Sequence, residues 1–311
     1  MAVLVTGATG LLGQAIAKSF AADGAQLRLV GRSTERLRQI YGANCSAIAW
    51  NPAEADFPRE ALTDVTVAYH LMGEPIGGRW TKAKKARIVI SRVTSAHKLA
   101  QAMAGSPCRL VSASSYALYP GRRNEVYDDK IRPAEKGTFL QSTIRAWENA
   151  AMSAAAGGGM ATVIRFGNVC SPDGYPKRLV PSFKHGMGFI VGDGNQIVPI
   201  VDIDDAVAMM RWVADRHIDG VINCVSPQLP RFHEVAETIA QTVAKPIRLR
   251  IPDWLARPIL GGSADCSLLS YDMRPARALA EGFSFRYAEP RAILGRALLP
   301  HMRPGSPRAA H

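Results

Sequence analysis

An α/β chain built on a doubly wound parallel sheet, with a smaller C-terminal region, is the fold class the sequence predicts. Three observations carry it. A buried apolar run, Ala2-Val3-Leu4-Val5, passes through the glycine-spaced stretch Thr6 to Gly13 into a helical pattern at Leu12, Ile16, Ala17 and Phe20. Short β-rich runs then alternate with helix-length segments as far as residue 170. Beyond Ser171 the alternation gives way to loops rich in Gly and Pro. At 311 residues and 47% apolar composition, the chain can bury a full core.

The first element is a strand that becomes a helix through three glycines. Gly7 permits the tight turn, Gly10 lets backbone approach a pyrophosphate, and Gly13 lets the helix pack closely on the strand. The phosphates would sit at the positive helix N-terminus, so Gly7, Thr9, Gly10, Leu11, Leu12 and Gly13 are cofactor-binding candidates. The second strand, Leu27 to Gly31, leads into Arg32 and Ser33, and Arg32 lies 19 residues after Gly13 (32 − 13). An enzyme using NAD would place a carboxylate there, on the ribose hydroxyls. Guanidinium and hydroxyl suit a 2′-phosphate instead, so NADP(H) is the expected cofactor; the alternative is that Arg32 is a solvated loop residue.

A third strand covers Ser46 to Trp50, ahead of Asn51-Pro52, and a fourth runs from Val65 into the loop Gly73 to Trp80. Loops at the carboxyl ends of such strands build the ligand crevice. Leu71, Met72 and Gly73 are therefore expected beside the cofactor, and Glu74 near the reacting end as a substrate contact or acid/base group, unless it simply caps or pairs with the Arg79 region. A long helix is expected from about Lys82 to Met103, a fifth strand from Arg109 to its exit at Tyr116, and a helix from Phe139 to Ala156 stopped by Gly157-Gly158-Gly159. Ala161 to Phe166 is the sixth strand, with Asn168 just after it, and Val221 to Val225 is a further one. Lys177 and Arg178, with Lys184 nearby, would hold a phosphate or carboxylate of the substrate, unless they are simply a solvated loop. Gly192-Asp193-Gly194 reads as a hairpin-like turn, and Asp202, Asp204 and Asp205 as the acidic opening of a helix. Residues 1–170, joined again by 201–224, form the nucleotide-binding domain; 171–200 and 225–300 form the substrate-binding region; 301–311 are a flexible tail.

Several classes are excluded by composition. No run approaches the 18 or so apolar residues of a membrane span, and no charged lead precedes the first apolar run, so a cytoplasmic protein without a signal peptide is expected. Cys45, Cys108, Cys170, Cys224 and Cys266 are scattered and odd in number, which indicates neither a disulfide framework nor a zinc site. They read as small buried hydrophobes, with a reactive thiol at Cys170 as the alternative. No metal site is expected. The net charge of +12 is concentrated between Arg79 and Lys98, where seven basic residues meet no acid. That helix suits a solvated face, an anionic ligand or an acidic protein partner; it carries no nucleic-acid motif.

Together these segments resemble the epimerase-like, atypical branch of the extended short-chain dehydrogenase/reductases, the group described as sugar-nucleotide epimerase family proteins. The matching pieces include Thr6 to Gly13, Trp50-Asn51-Pro52, Gly73-Glu74-Pro75-Ile76, Arg79-Trp80-Thr81, Ser91-Arg92-Val93, Ser112-Ala113-Ser114, Gly192 to Gln196 and Glu281 to Tyr287. The resemblance implies a Rossmann domain, Asn168 beside the nicotinamide, a small-molecule substrate, and a homodimer through the long helices after the fourth and fifth strands. In that superfamily, chemistry usually rests on a Ser with a Tyr-x-x-x-Lys helix: the phenol exchanges a proton, and Lys lowers its pKa and holds the ribose. Aligned on Glu148, those two positions fall on Leu140 and Ile144, and neither can donate a proton. Ser114 keeps the serine position, and Tyr116 or Tyr119 would supply a phenol. The expected function is therefore NADP(H)-dependent reduction or epimerisation of a small carbonyl or alcohol substrate. Its rival is a non-catalytic NADP(H)-binding scaffold, sensor or assembly factor that meets an acidic protein.

Overall fold

The computed structural model describes residues 2–131, 137–156 and 159–302. Its centre is a seven-stranded sheet. β1 (Ala2–Thr6) is flanked by β2 (Gln26–Gly31) and β4 (Val65–His70); β3 (Ser46–Ala49) closes one edge beyond β2. On the other side follow β5 (Arg109–Ser115), then, after the short β6 (Val126–Tyr127), β7 (Met160–Phe166), and finally β11 (Gly220–Cys224) at the far edge. Every pairing in this sheet is parallel. β1 is buried along its whole length, as its uninterrupted apolar run requires of a central strand covered on both faces.

Helices cover both faces. α1 (Leu11–Ala22) buries Ile16, Ala17 and Phe20 in one cluster with Val3, Val5 and Tyr69, together with Met209, Met210 and Val213 of a later helix. α2 (Thr34–Tyr41) adds Leu37 to the same side. Opposite, a second cluster joins Leu4, Ala68 and Leu110 to Leu99 and Trp147. The predicted helix from Lys82 to Met103 is there, but not as one regular α-helix. α3 (Lys82–Val89) widens into a π turn at Ile90–Thr94 before α4 (Ser95–Ala102). α5 (Phe139–Ala156) packs beside it.

The crevice above the sheet is walled by the C-terminal segments. β8 (Asn168–Cys170) pairs with β10 (Ile200–Asp202), and β9 (Gly188–Val191) with β12 (Ile247–Ile251), both parallel. The turn at Gly192 and Gly194 has positive φ at both glycines, but it makes no hairpin because β9 takes β12 as its partner. After α6 (Val180–Lys184), α7 (Ile203–Asp215) opens on Asp202, whose side chain accepts from the Asp204 amide. Asp205 accepts from the amides of Arg286 and Tyr287, pinning the C-terminal segment to α7. α8 (Phe232–Val243) and Pro290–Leu298 enclose a third apolar cluster with Phe183 and Val191. Among the described residues no helix is long and apolar enough to cross a membrane, and no group of His, Cys, Asp or Glu is arranged to hold a metal. Gly157, Gly158 and 303–311, the helix stop and most of the expected tail, lie outside the described residues.

Candidate active site

The glycine turn owes its shape to space that side chains would fill. Gly7 has φ +68°, and a Cβ there would stand 2.6 Å from the Leu71 carbonyl oxygen at the end of β4. A Cβ on Gly13 would stand 2.2 Å from the Gly7 carbonyl oxygen. Strand, turn and helix therefore meet backbone to backbone. Gly10 is the N-cap of α1 and, lacking a side chain, leaves the helix uncapped. The first intrahelical bond runs from Gln14 to the Gly10 carbonyl, so the amides of Leu11, Leu12 and Gly13 precede it and point out of the helix end. Thr9 and Gly10 are exposed beside them. Such an end suits a diphosphate, so the residues present fit the dinucleotide that the spacing implies. Two contacts at this end were not legible in the sequence: Tyr41 donates to the Ala8 carbonyl at 2.6 Å, and Gln14 to that of Thr9 at 3.0 Å. At the end of β2, Arg32 is exposed, while the Ser33 hydroxyl caps α2 by accepting from the Arg36 amide at 3.2 Å.

The β5 side of the crevice is held by side chains. Ser114 donates to Glu148 Oε1 at 2.5 Å; Glu148 takes both Nε and Nη2 of Arg165 at 2.8 Å. Arg165 Nη1 reaches the Tyr119 hydroxyl at 2.8 Å, and that hydroxyl lies 2.9 Å from Asn223 Oδ1. Asn223 in turn donates to the carbonyls of Tyr127 and Arg274, and its amide is held by Asp129. Ser114 and Tyr119 are both buried, and burial raises the Tyr119 phenol above its usual range, against the pull of Arg165. Both groups thus spend their hydrogen bonds inside the wall.

Tyr116 is placed differently. Its hydroxyl donates to the Cys266 carbonyl at 3.2 Å, with the Asn168 side chain beside it, and burial holds the phenol well above its usual pKa. Asn168 also donates to the Pro199 carbonyl at 3.0 Å. Ser115, which sequence reasoning passed over, is the last residue of β5; it is half-buried, and its hydroxyl accepts from the Ala117 amide at 3.3 Å. Leu140 and Ile144 are buried in one apolar cluster with Tyr116 and Tyr119. Cys170 is buried too, and burial pushes its thiol far up, away from a reactive thiolate.

Beside these groups lies a cavity of about 920 Å³, within the size range of small-molecule sites. Trp80, Leu118, Leu140, Tyr271, Arg122 and Arg257 are among its lining residues. Trp80 packs flat on Gly262, where a Cβ would come within 1.9 Å of the indole, and so ties the loop after β4 to the C-terminal wall. The expected substrate contacts stand elsewhere. Glu74 turns its carboxylate to Lys84 at 2.9 Å and Arg87 at 3.2 Å, and these partners hold it below the usual carboxylate range. Lys177 pairs with Asp173 at 2.6 Å on the exposed surface, and Arg178 lies against Gly77.

The sequence signature of the NAD dependent epimerase/dehydratase family matches residues 3–224. An epimerase family protein of Mycobacterium bovis is 30% identical over 310 residues, covering 97% of this chain and 98% of that protein. The chloroplastic epimerase family protein SDR39U1 homolog of Arabidopsis thaliana is 29% identical over 294 residues, with 92% and 84% covered. Among solved structures, human epimerase family protein SDR39U1 with NADPH superposes with a TM-score of 0.80 at 25% identity, covering 94% of this chain and 98% of that one.

Proposed function

The chain belongs to the NAD-dependent epimerase/dehydratase family, and from that membership we propose that it is an NADP(H)-dependent oxidoreductase or epimerase of a small carbonyl or alcohol substrate. The observation that carries the reading is the uncapped N-terminus of α1, set in place by Gly7 against Leu71 and Gly13 against Gly7, two positions that admit no side chain. Arg32 at the end of β2, in a position without a carboxylate, supports the 2′-phosphate, as does the NADPH of the human relative. The nicotinamide supplies or takes the hydride when bound.

The chain's own residues do the rest. The amides of Leu11, Leu12 and Gly13 bind the diphosphate, and Gly73 lets the strand end lie against the ligand. Tyr116, kept neutral by burial and bonded to the carbonyl of Cys266, itself a cavity residue, is the proton donor to the substrate oxygen, with Asn168 orienting its hydroxyl. Ser114 and Tyr119 act through the Glu148–Arg165 pair, which fixes the exit of β5 and hence the Tyr116 ring. Leu140, at the cavity wall, keeps water from the reacting end.

The test is transfer of label. NADPH carrying deuterium at C4 is mixed with a panel of aldehydes, ketones and keto sugars, with NADP⁺ and alcohols in the reverse direction. Deuterium should appear on substrate carbon, or exchange at an epimerisable centre. Tight NADPH binding with no transfer across the panel would remove the enzymatic reading. It would favour the scaffold, which Leu140 and Ile144 already support, and charge reversal at Lys82 and Lys85 should then abolish capture of an acidic partner.

A further inference from the structure

The π turn at Ile90–Thr94 presents Ser91 and Arg92 to the loop that leaves β4. Such turns interrupt helices mostly at functional positions. Ser91 Oγ accepts from the Glu74 amide at 2.9 Å, and Arg92 Nη1 donates to the Glu74 carbonyl at 3.0 Å. The guanidinium carbon lies 5.5 Å from the Trp147 ring centre on α5, and Nη2 stands 3.2 Å from the point a Cβ on Gly73 would occupy. Gly73 itself is exposed. The carboxylate whose charge acts on Arg92 is that of Glu74, and it is paired with Lys84 and Arg87 instead. Burial lowers Arg92 to about 10, which leaves it charged at neutral pH.

A guanidinium carries five donors. Among the described residues only Nη1 finds acceptors, the Glu74 carbonyl and Ser91 Oγ; Nε and Nη2 find none. The sheet order says which part of the crevice they face. β2, with Arg32 at its end, and β4, with Gly73 beyond its end, lie on opposite sides of β1 and its glycine turn. A dinucleotide with its 2′-phosphate at Arg32 and its diphosphate at α1 has its nicotinamide half on the β4 side. There α5 presents Ile144 where a lysine would stand, and Trp147, one turn on, carries the Arg92 guanidinium on its face.

We propose that Arg92 is a cofactor-binding residue for the nicotinamide half of the dinucleotide, donating Nε and Nη2 to oxygens of the diphosphate or the nicotinamide ribose. It supplies from the neighbouring helix a positive charge that Ile144 does not. The assignment rests on the dinucleotide reading of the crevice and not on turnover. Its test is equilibrium binding of two ligands, NADPH and adenosine 2′,5′-bisphosphate, which carries the phosphorylated adenosine end alone, to wild type, Arg92→Gln and Arg92→Lys. Loss of charge-assisted bonds should weaken NADPH by about tenfold or more in Arg92→Gln, with Arg92→Lys in between. The adenosine bisphosphate should bind all three proteins alike, which also shows that the variants are folded. Unchanged NADPH affinity in Arg92→Gln overturns the proposal, and so does parallel weakening of both ligands, which would make Arg92 a support of the loop. Should Arg92→Gln fail to fold, the same ratio in Arg92→Lys decides. Wild type that binds NADPH in this pattern and never oxidises it would remove the oxidoreductase reading and leave Arg92 in place.

Discussion

At the β1 end of the crevice the groups that face a ligand are backbone amides, set within a few residues of one another by Gly7, Gly10 and Gly13. At the β5 end the wall is a chain of side chains, Ser114, Glu148, Arg165, Tyr119 and Asn223, whose bonded partners lie as far as 104 residues apart. The first arrangement leaves its donors open to solvent, so it binds. The second satisfies nearly every donor internally, so it holds shape. Tyrosine and serine at a strand end are therefore not interchangeable with a reactive pair; what their hydrogen bonds are spent on decides the role.

The sharpest way to break this comparison is at Glu148. Both it and Arg165 are almost fully buried, and removing one partner strands a buried charge, so Glu148→Leu should cost about 3–5 kcal/mol in urea unfolding. Glu148→Leu with Arg165→Met should recover most of that loss, because two apolar side chains leave no charge to solvate. If Glu148→Leu instead kept wild-type stability and lost turnover alone, the network would be catalytic and the contrast would fail.

A smaller effect is expected at the other end. In Gly13→Ala the new methyl meets the Gly7 carbonyl, so either the turn or the helix start must shift. Overpacking of this kind costs about 1–3 kcal/mol, less than the ion pair, yet it should abolish NADPH binding because it moves the amides themselves. A stable Gly13→Ala protein that binds NADPH normally would mean that the diphosphate lies elsewhere.

The same contrast explains what could be read in advance. The glycine turn was legible because its cause is local: residues that tolerate close approach, spaced along one turn, between a buried run and a helix. The partners of Glu74 were not legible, because its loop position says nothing of Lys84 and Arg87, which stand in the first and second turns of the next helix. The cavity wall comes from segments around residues 80, 120, 140 and 265, and no local pattern links them. Arg92 did leave a signal. It falls among Ile88, Val89, Val93 and Leu99, the packed side of a helix otherwise basic on its outer face, and an arginine there has to be held by something. Ser115 left none, since its difference from Ser114 is only which side of the strand it projects from.

Between the two ends lies β4, and His70 at its last position tests whether the wall under the nicotinamide half is held as the β5 side is. His70 is fully buried; Trp147 Nε1 donates to its Nδ1 at 3.3 Å, so Nε2 carries the proton and donates to Ser95 Oγ at 2.8 Å. Ser95 passes the bond to the Ser91 carbonyl at 2.8 Å, inside the π turn that carries Arg92. Burial first, and then the charge of Arg92, pull His70 down to about 3 from its ordinary value near 6.5. Between those two values the unfolded chain binds a proton that the folded protein does not. The stability His70 contributes is therefore whole above pH 6.5 and drains away as pH falls towards 3, by up to about 1.4 kcal/mol per pH unit. His70→Gln, whose amide can take both bonds and does not titrate, should flatten the stability profile between pH 6.5 and 5, measured by urea unfolding at each pH. It should also leave NADPH affinity at pH 7.5 near that of wild type. Parallel profiles for the two proteins would show that His70 is protonated, or reached by water, in the folded state, and the support beneath Arg92 would then be looser than the wall around Arg165.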